Sequence, residues 1–449
     1  MTRSTTYRAT QPNLSSPALA LQVFRSGFFL IFFPLLLATL SACTGSTSSD
    51  DSGEPASQVL YVESNNPTSG QNSIFAYRRN SDGTLTAISG SPFLTGGTGH
   101  TNPTQKLGPN DLDQPIVVSP DKRRLYAVNA GSNSIAVMKI NSDGSLTPVA
   151  GSPFASGGNN PVSIGLADNR LYVVNKSENG ADVTTTLPNY TAFTIESDSK
   201  LTPIAGSTFE VRSGDSPSQA LISKDKKILF GADFLAPAAI TANPPIRSFT
   251  INASGTMTPA PGSPLNINRS DTGKAGALGL MVHPTQKILY VGYTQRDQVG
   301  VYTYTDDGAL TYTTTTAVSG KAPCWIITNS SGSRIYTTNT VDGSVSVLDA
   351  TNPLAPVEIQ KLVLKEVGPL FEIMPGAMAV SSGAFQEALS PDGKNIYVVS
   401  QRATSDASYT QGNYLHVLNV ASDGTLTEPG VPVVLAVPTT ARPHGVVTF

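Results

Sequence analysis

Residues 114–154, QPIVVSPDKRRLYAVNAGSNSIAVMKINSDGSLTPVAGSPF, decide the fold, because recognisable copies of the stretch recur along the chain. Ile116 to Val118 is a short apolar run, and Ser119-Pro120-Asp121-Lys122 supplies turn chemistry before a second β-prone run, Leu125 to Val128. Ile135 to Ile140 alternates as a third strand and ends at Asp143-Gly144. Asp-Gly between β-prone runs is a strong hairpin signal, since Gly accepts the positive φ of a tight turn. A weaker fourth strand follows from Ser145 to Val149. Four strands, each hairpinned to the next, make one antiparallel sheet.

The second strand counts the copies. An aliphatic residue followed by Tyr or Phe occurs at Leu60, Leu125, Leu171, Leu229, Leu289, Ile335 and Ile396, about 56 residues apart on average. The hairpin before the fourth strand recurs at Asp82-Gly83, Asp143-Gly144, Asp198-Ser199, Ser254-Gly255, Asp307-Gly308 and Asp423-Gly424, and the sixth copy has Asn352-Pro353 instead. A unit that cannot hide its apolar faces alone stacks on its neighbours. Seven such sheets predict an all-β fold: a seven-bladed β-propeller of four-stranded antiparallel blades over residues 58–449. The first copy begins at its second strand, Gln58 to Glu63, and Arg442 to Phe449 matches the first strand of the other copies. The C-terminal strand should therefore complete the N-terminal blade, closing the ring without a free edge.

The N-terminus reads as an export address. Arg3, Arg8 and Arg25 precede the apolar run Phe28 to Leu37, and Leu40-Ser41-Ala42-Cys43 follows. Leu-Ser-Ala-Cys resembles the bacterial lipobox, which implies a signal peptide over 1–43, a lipid on Cys43 and a membrane as partner. Residues 44–57 form a Ser/Thr/Gly-rich tether. An exported protein anchored on the periplasmic or cell-surface side follows, on the outer membrane if the cell is Gram-negative. Twenty-nine basic against 32 acidic residues leave a net charge of −3, so no nucleic-acid footprint exists. Cys324 has no cysteine partner once Cys43 is lipidated, and reads as a small buried apolar residue. No motif calls for a metal or a cofactor, and a monomer is expected.

Repeats of the form Pro-x5-Ser-Pro-Asp-x3-Leu-Tyr-Val-x-Asn, followed by a strand and Asp-Gly-x-Leu, resemble the bacterial lactonase family of seven-bladed propellers. That family includes 6-phosphogluconolactonase and is similar to the fungal carboxymuconate-lactonising enzyme. Ile335 to Asn339 and Asp342 to Leu348 are also similar to the Tyr-Val-Thr-Asn repeats of surface-layer propellers. The family's Pro-x-His at the start of a first strand is kept only at Arg442-Pro443-His444.

Long insertions at Gly96 to Asp113, Lys176 to Asn189, Asp233 to Pro245, Lys365 to Ser382 and Gln401 to Asn413 should open on one face around the central channel. Opening a lactone needs a base to activate water and a donor for the carbonyl oxyanion. His444 and Glu387 are the candidate bases, with Arg442 and Arg402 as candidate oxyanion or carboxylate holders. Glu63, Lys176, Asp233, Arg296 and Lys321 are candidate ligand-binding residues near the same mouth. Three activities stay open on these residues: hydrolysis of a small lactone, capture of a small molecule, glycan or envelope protein, and a surface role without catalysis.

Overall fold

A computed structural model of the chain describes residues 56–101, 112–176, 186–234, 245–267, 276–404 and 406–449. The signal peptide, Cys43 and all but the last two residues of the tether lie outside the described residues. The chain forms seven antiparallel sheets arranged as a β-propeller, and the described residues hold only one short 3-10 turn, Ala130–Ser132. In the second blade the strands are Ile116–Val118, Arg124–Asn129, Ser134–Ile140 and Leu146–Pro148, paired in sequence order. The innermost strands of the other blades that follow are Pro161–Ala167, Leu221–Ile222, Ala277–Val282, Pro323–Thr328 and Ser382–Leu389. All seven copies of the aliphatic-Tyr/Phe pair fall on second strands, as the repeat predicted.

Closure also follows the expectation. His444–Thr448 is the innermost strand of the first blade and runs antiparallel to Val59–Glu63, with Tyr61 opposite Val447. Val59 and Phe449 exchange backbone hydrogen bonds at 3.1 and 3.2 Å. The Tyr61 and Phe449 rings approach with centroids 6.0 Å apart.

Each blade boundary buries its own apolar cluster. Tyr61, Met138 and Phe449 meet between the first and second blades, Tyr190 and Phe249 between the third and fourth, and Val62 and Leu415 between the first and seventh. Fully burying one such side chain contributes about 1.5–3 kcal/mol, which explains why the unit exists only as a ring. A polar latch accompanies the packing. Tyr61 donates its hydroxyl to the carbonyl of Gly144 in the next blade at 2.8 Å, Tyr172 to Gly255 at 3.1 Å and Tyr336 to Gly424 at 3.1 Å. Tyr290 reaches Pro353 at 3.0 Å, where Asn352-Pro353 stands in for the Asp-Gly turn. The two repeated motifs are thus the two halves of one inter-blade bond.

Two features depart from a plain four-stranded blade. In the first, second, third and seventh blades the outer strand is split into two short pieces that pair with the same third strand, such as Leu85–Ala87 and Phe93–Leu94. In the first two blades Gly90-Ser91-Pro92 and Gly151-Ser152-Pro153 make that break, because Ser91 and Ser152 accept the Ala76 and Val137 amides through their hydroxyls, where a continuous strand would have paired. The fifth and sixth blades keep unbroken outer strands, Leu310–Ala317 and Val357–Val363. An extra hairpin, Leu370–Met374 with Ala377–Val380, stands between the sixth and seventh blades and leaves Leu370, Met374 and Met378 exposed.

Candidate active site

The innermost strands start at the face where the insertions open and run away from it, so early residues lie at the mouth and late ones deeper in the channel. Near the mouth the channel is filled. Leu278, Cys324, Trp325 and Phe385 form a buried cluster with Phe234 against it, and the Trp325 and Phe385 rings lie 4.6 Å apart. Cys324 is therefore the buried small residue expected of it.

Across this cluster runs the end of the first insertion. The Leu112 carbonyl accepts Trp325 Nε1 at 2.8 Å from the sixth blade and Gln386 Nε2 at 3.4 Å from the seventh. The Asp113 amide donates to Ser218 of the fourth blade at 3.0 Å, and Gln114 Nε2 to Ile164 of the third at 3.0 Å. Residues 112–114 thus tie four blades together at the axis.

Beneath this crossing lies a cavity of about 120 Å3. Its walls include Asp113, Gln219, Met281, Ile327, Gln386, Glu387 and Val446. Glu387 is 7 % exposed, and neither of its carboxyl oxygens has a hydrogen-bond partner. Burial pushes its carboxyl well above the usual carboxylate range, and the charge of Asp113 pushes it further the same way. Burial also raises Asp113, to about 7, against the opposing hydrogen bonds of the Gln114 amide and the Gln386 side chain. Two carboxyls in one small cavity, with no cation paired to either among the described residues, cannot both be charged at little cost. One holds its proton while the other ionises near neutral pH.

The mouth holds a second group of expected residues. His444 Nδ1 lies 3.8 Å from Glu63 Oε2, and both side chains are almost wholly buried. Burial lowers the His444 imidazole to about 3 and raises Glu63 well above its usual range, even though Asn72 donates to Glu63 Oε1 at 2.9 Å. Burial thus disfavours charge on both partners, and an imidazole so far down is a weak base at neutral pH. Arg402 and Arg442 stand beside it and share the Thr439 carbonyl, at 3.4 and 2.8 Å.

The remaining expected residues are dispersed. Asp233 is fully buried and spent on Arg247, whose Nε lies 3.0 Å from Asp233 Oδ2 and whose Nη2 also reaches Asp215 at 2.9 Å. Lys321 is exposed and paired with Asp297 at 2.7 Å. Lys176 is buried at the end of a second strand, and Arg296 is half-buried in a turn. A larger recess of about 620 Å3 opens on the opposite face between the sixth and seventh blades. Three of its four charges are already engaged, Asp392 by Ser390 and Asp423 by Thr425 in local turns and Arg334 by Asp349 across a strand pair, and Lys394 is the fourth.

The structure thus brings Glu387 together with a residue the repeats did not mark. In the sequence Asp113 is only the end of an insertion. Its one local signal is Leu-Asp-Gln directly before Pro115, where the chain must turn from loop into the innermost strand.

A family model described as lactonase, 7-bladed beta-propeller matches residues 150–433. The chain is 23 % identical to 6-phosphogluconolactonase of Cronobacter sakazakii over 273 residues, which cover 51 % of this chain and 74 % of that one. In fold it is similar to a periplasmic gluconolactonase of Pseudomonas aeruginosa, with a TM-score of 0.61 and 16 % identity over 86 % of this chain and 99 % of that one. It is also similar to a hypothetical selenium-binding protein of Sulfolobus tokodaii, with a TM-score of 0.57 and 14 % identity over 87 % of this chain and 93 % of that one. At such identities these likenesses speak to the fold.

Proposed function

The chain belongs to the lactonase family of seven-bladed β-propellers, and from that premise we propose that it hydrolyses a small lactone in the channel cavity, with Asp113 as base and Glu387 as proton-bearing donor. The observation that carries this reading is the buried Glu387 carboxyl, unpartnered at both oxygens and facing the same cavity as Asp113. In its neutral form Glu387 donates a hydrogen bond to the lactone carbonyl as that oxygen gains negative charge. Asp113 takes a proton from water, the water oxygen bonds to the carbonyl carbon, and the ring C–O bond breaks. The proton on Asp113 passes to the departing ring oxygen, which gives the open hydroxy acid and restores both carboxyls. The cavity is well below the roughly 300–1,000 Å3 of sites for drug-sized ligands, which favours an unphosphorylated five- or six-membered lactone.

A panel of small lactones, with and without phosphate, tests this on the purified protein. Glu387→Gln and Asp113→Asn should each lower kcat/KM by about 10²–10⁴-fold while leaving the thermal transition in place. Turnover unchanged in both variants, or no turnover of any lactone by the wild type, would overturn the reading. Export and anchoring through Cys43 are part of the same proposal, supported by the charged-then-apolar leader and Leu40-Ser41-Ala42-Cys43. Metabolic labelling with a fatty acid should mark the wild type and be lost in Cys43→Ser.

A further inference from the structure

We propose that Arg402 and Arg442 form an oxyanion-binding site at the channel mouth, for a carboxylate or phosphate group of a small molecule, separate from the cavity in which the carboxyls lie.

The two guanidinium groups are placed, not free-swinging. Arg402 ends the strand Asn395–Arg402, is 6 % exposed, and donates from Nε to the Tyr409 carbonyl at 2.6 Å, from Nη2 to the Asp406 carbonyl and from Nη1 to Thr439. Arg442 enters from the closing segment and donates from Nη1 alone, to Thr439 at 2.8 Å and Ala441 at 2.9 Å. The segment carrying it is itself fixed, because Asn65 Nδ2 donates to the Arg442 carbonyl at 3.1 Å. Two cations are therefore drawn onto one carbonyl oxygen, and all these acceptors are neutral backbone groups.

No carboxylate forms an ion pair with either arginine among the described residues. Asp406 feels the charge of Arg402, yet its carboxylate is turned to the Ser408 amide and hydroxyl at 2.8 and 2.7 Å. Glu366 acts on the Tyr409 and Tyr414 phenols instead. Arg442 Nε and Nη2 make no hydrogen bond to described residues and are not sealed from solvent. Like charges held this close resist one another, and the Arg442 guanidinium is driven down to about 10 by burial and by Arg402. A fold that keeps such a pair without a counter-charge leaves it to the ligand. Guanidinium forks suit carboxylate and phosphate oxygens, which accept two parallel N–H bonds.

The test is thermal unfolding of the purified protein with inorganic phosphate, acetate or chloride at matched ionic strength. Phosphate or acetate should raise the transition beyond chloride in a saturable way, since a ligand bound only by the folded state stabilises it by mass action. A response to phosphate alone assigns the site to phosphate groups, and a response to acetate as well assigns it to carboxylates. Arg442→Gln should melt no lower than wild type without these anions, because it removes one of two opposed charges, and its apparent affinity for the anion should fall at least tenfold. The proposal is overturned by a wild type that answers phosphate and acetate no better than chloride, by an Arg442→Gln protein that keeps the full shift, or by one that melts well below wild type in anion-free buffer. Neither Asp113 nor Glu387 is touched, so failure here leaves the lactone reading standing.

Discussion

Tyr172 and Gly255 are 83 positions apart in sequence and joined by one hydrogen bond between blades. Because the hydroxyl is buried and its acceptor is a turn carbonyl, Tyr172→Phe should lower unfolding free energy by about 1 kcal/mol, read by chemical denaturation. An unchanged midpoint would show that water satisfies the turn equally well. The same scale shows what single residues revealed and withheld. Leu-Tyr and Asp-Gly were legible as repeats, whereas their meeting in space was not, since each motif is explained locally by strand and turn. Glu387 was legible as a charge on an innermost strand. Asp113 was not, because no period marks a loop residue whose place is set by what it crosses. His444 kept its family pattern, yet burial beside Glu63 makes it a poor base, and burial of a side chain cannot be read from a motif.

At the scale of elements, the closing strand matters most. His444–Thr448 is the inner neighbour of Val59–Glu63, and Phe449 completes the cluster around Tyr61 and Met138. Removal of residues 442–449 should therefore leave an unpaired edge in the first blade and open two blade boundaries. The truncated protein is expected to be insoluble or to melt more than about 10 °C below wild type, as a loss of several kcal/mol would require; a melt within a degree or two would contradict the closure's role. Strand order, blade number and this clasp were all legible, since alternation and turn residues encode them directly. The split outer strands were not separated from whole ones, since the serine hydroxyls that take the place of strand pairing in the first two blades carry no strand pattern of their own. The hairpin at Leu370–Val380 lay within a recognised insertion, and Leu-Phe-Glu-Ile-Met before Pro375-Gly376 carries the alternation and turn that form it.

For the whole molecule, the ring explains why chemistry would sit on the axis. Seven innermost strands converge there, the mouth is filled by Trp325, Phe385 and the crossing at Leu112, and burial beneath it holds the carboxyls off their usual ionisation. The insertions pointed to the mouth as the active face, while the unpartnered Glu387 carboxyl lies beneath the crossing, because side-chain filling of a channel depends on all seven blades at once. The most direct measurement is the pH dependence of kcat/KM for lactone hydrolysis by the wild type and Asp113→Asn. Asp113 is inert as a base while protonated, so the wild-type rate should rise through about pH 7 and fall at higher pH as Glu387 loses its proton. The rising limb should vanish in Asp113→Asn. A wild-type profile flat across neutral pH, or a rising limb that survives the substitution, would contradict the account.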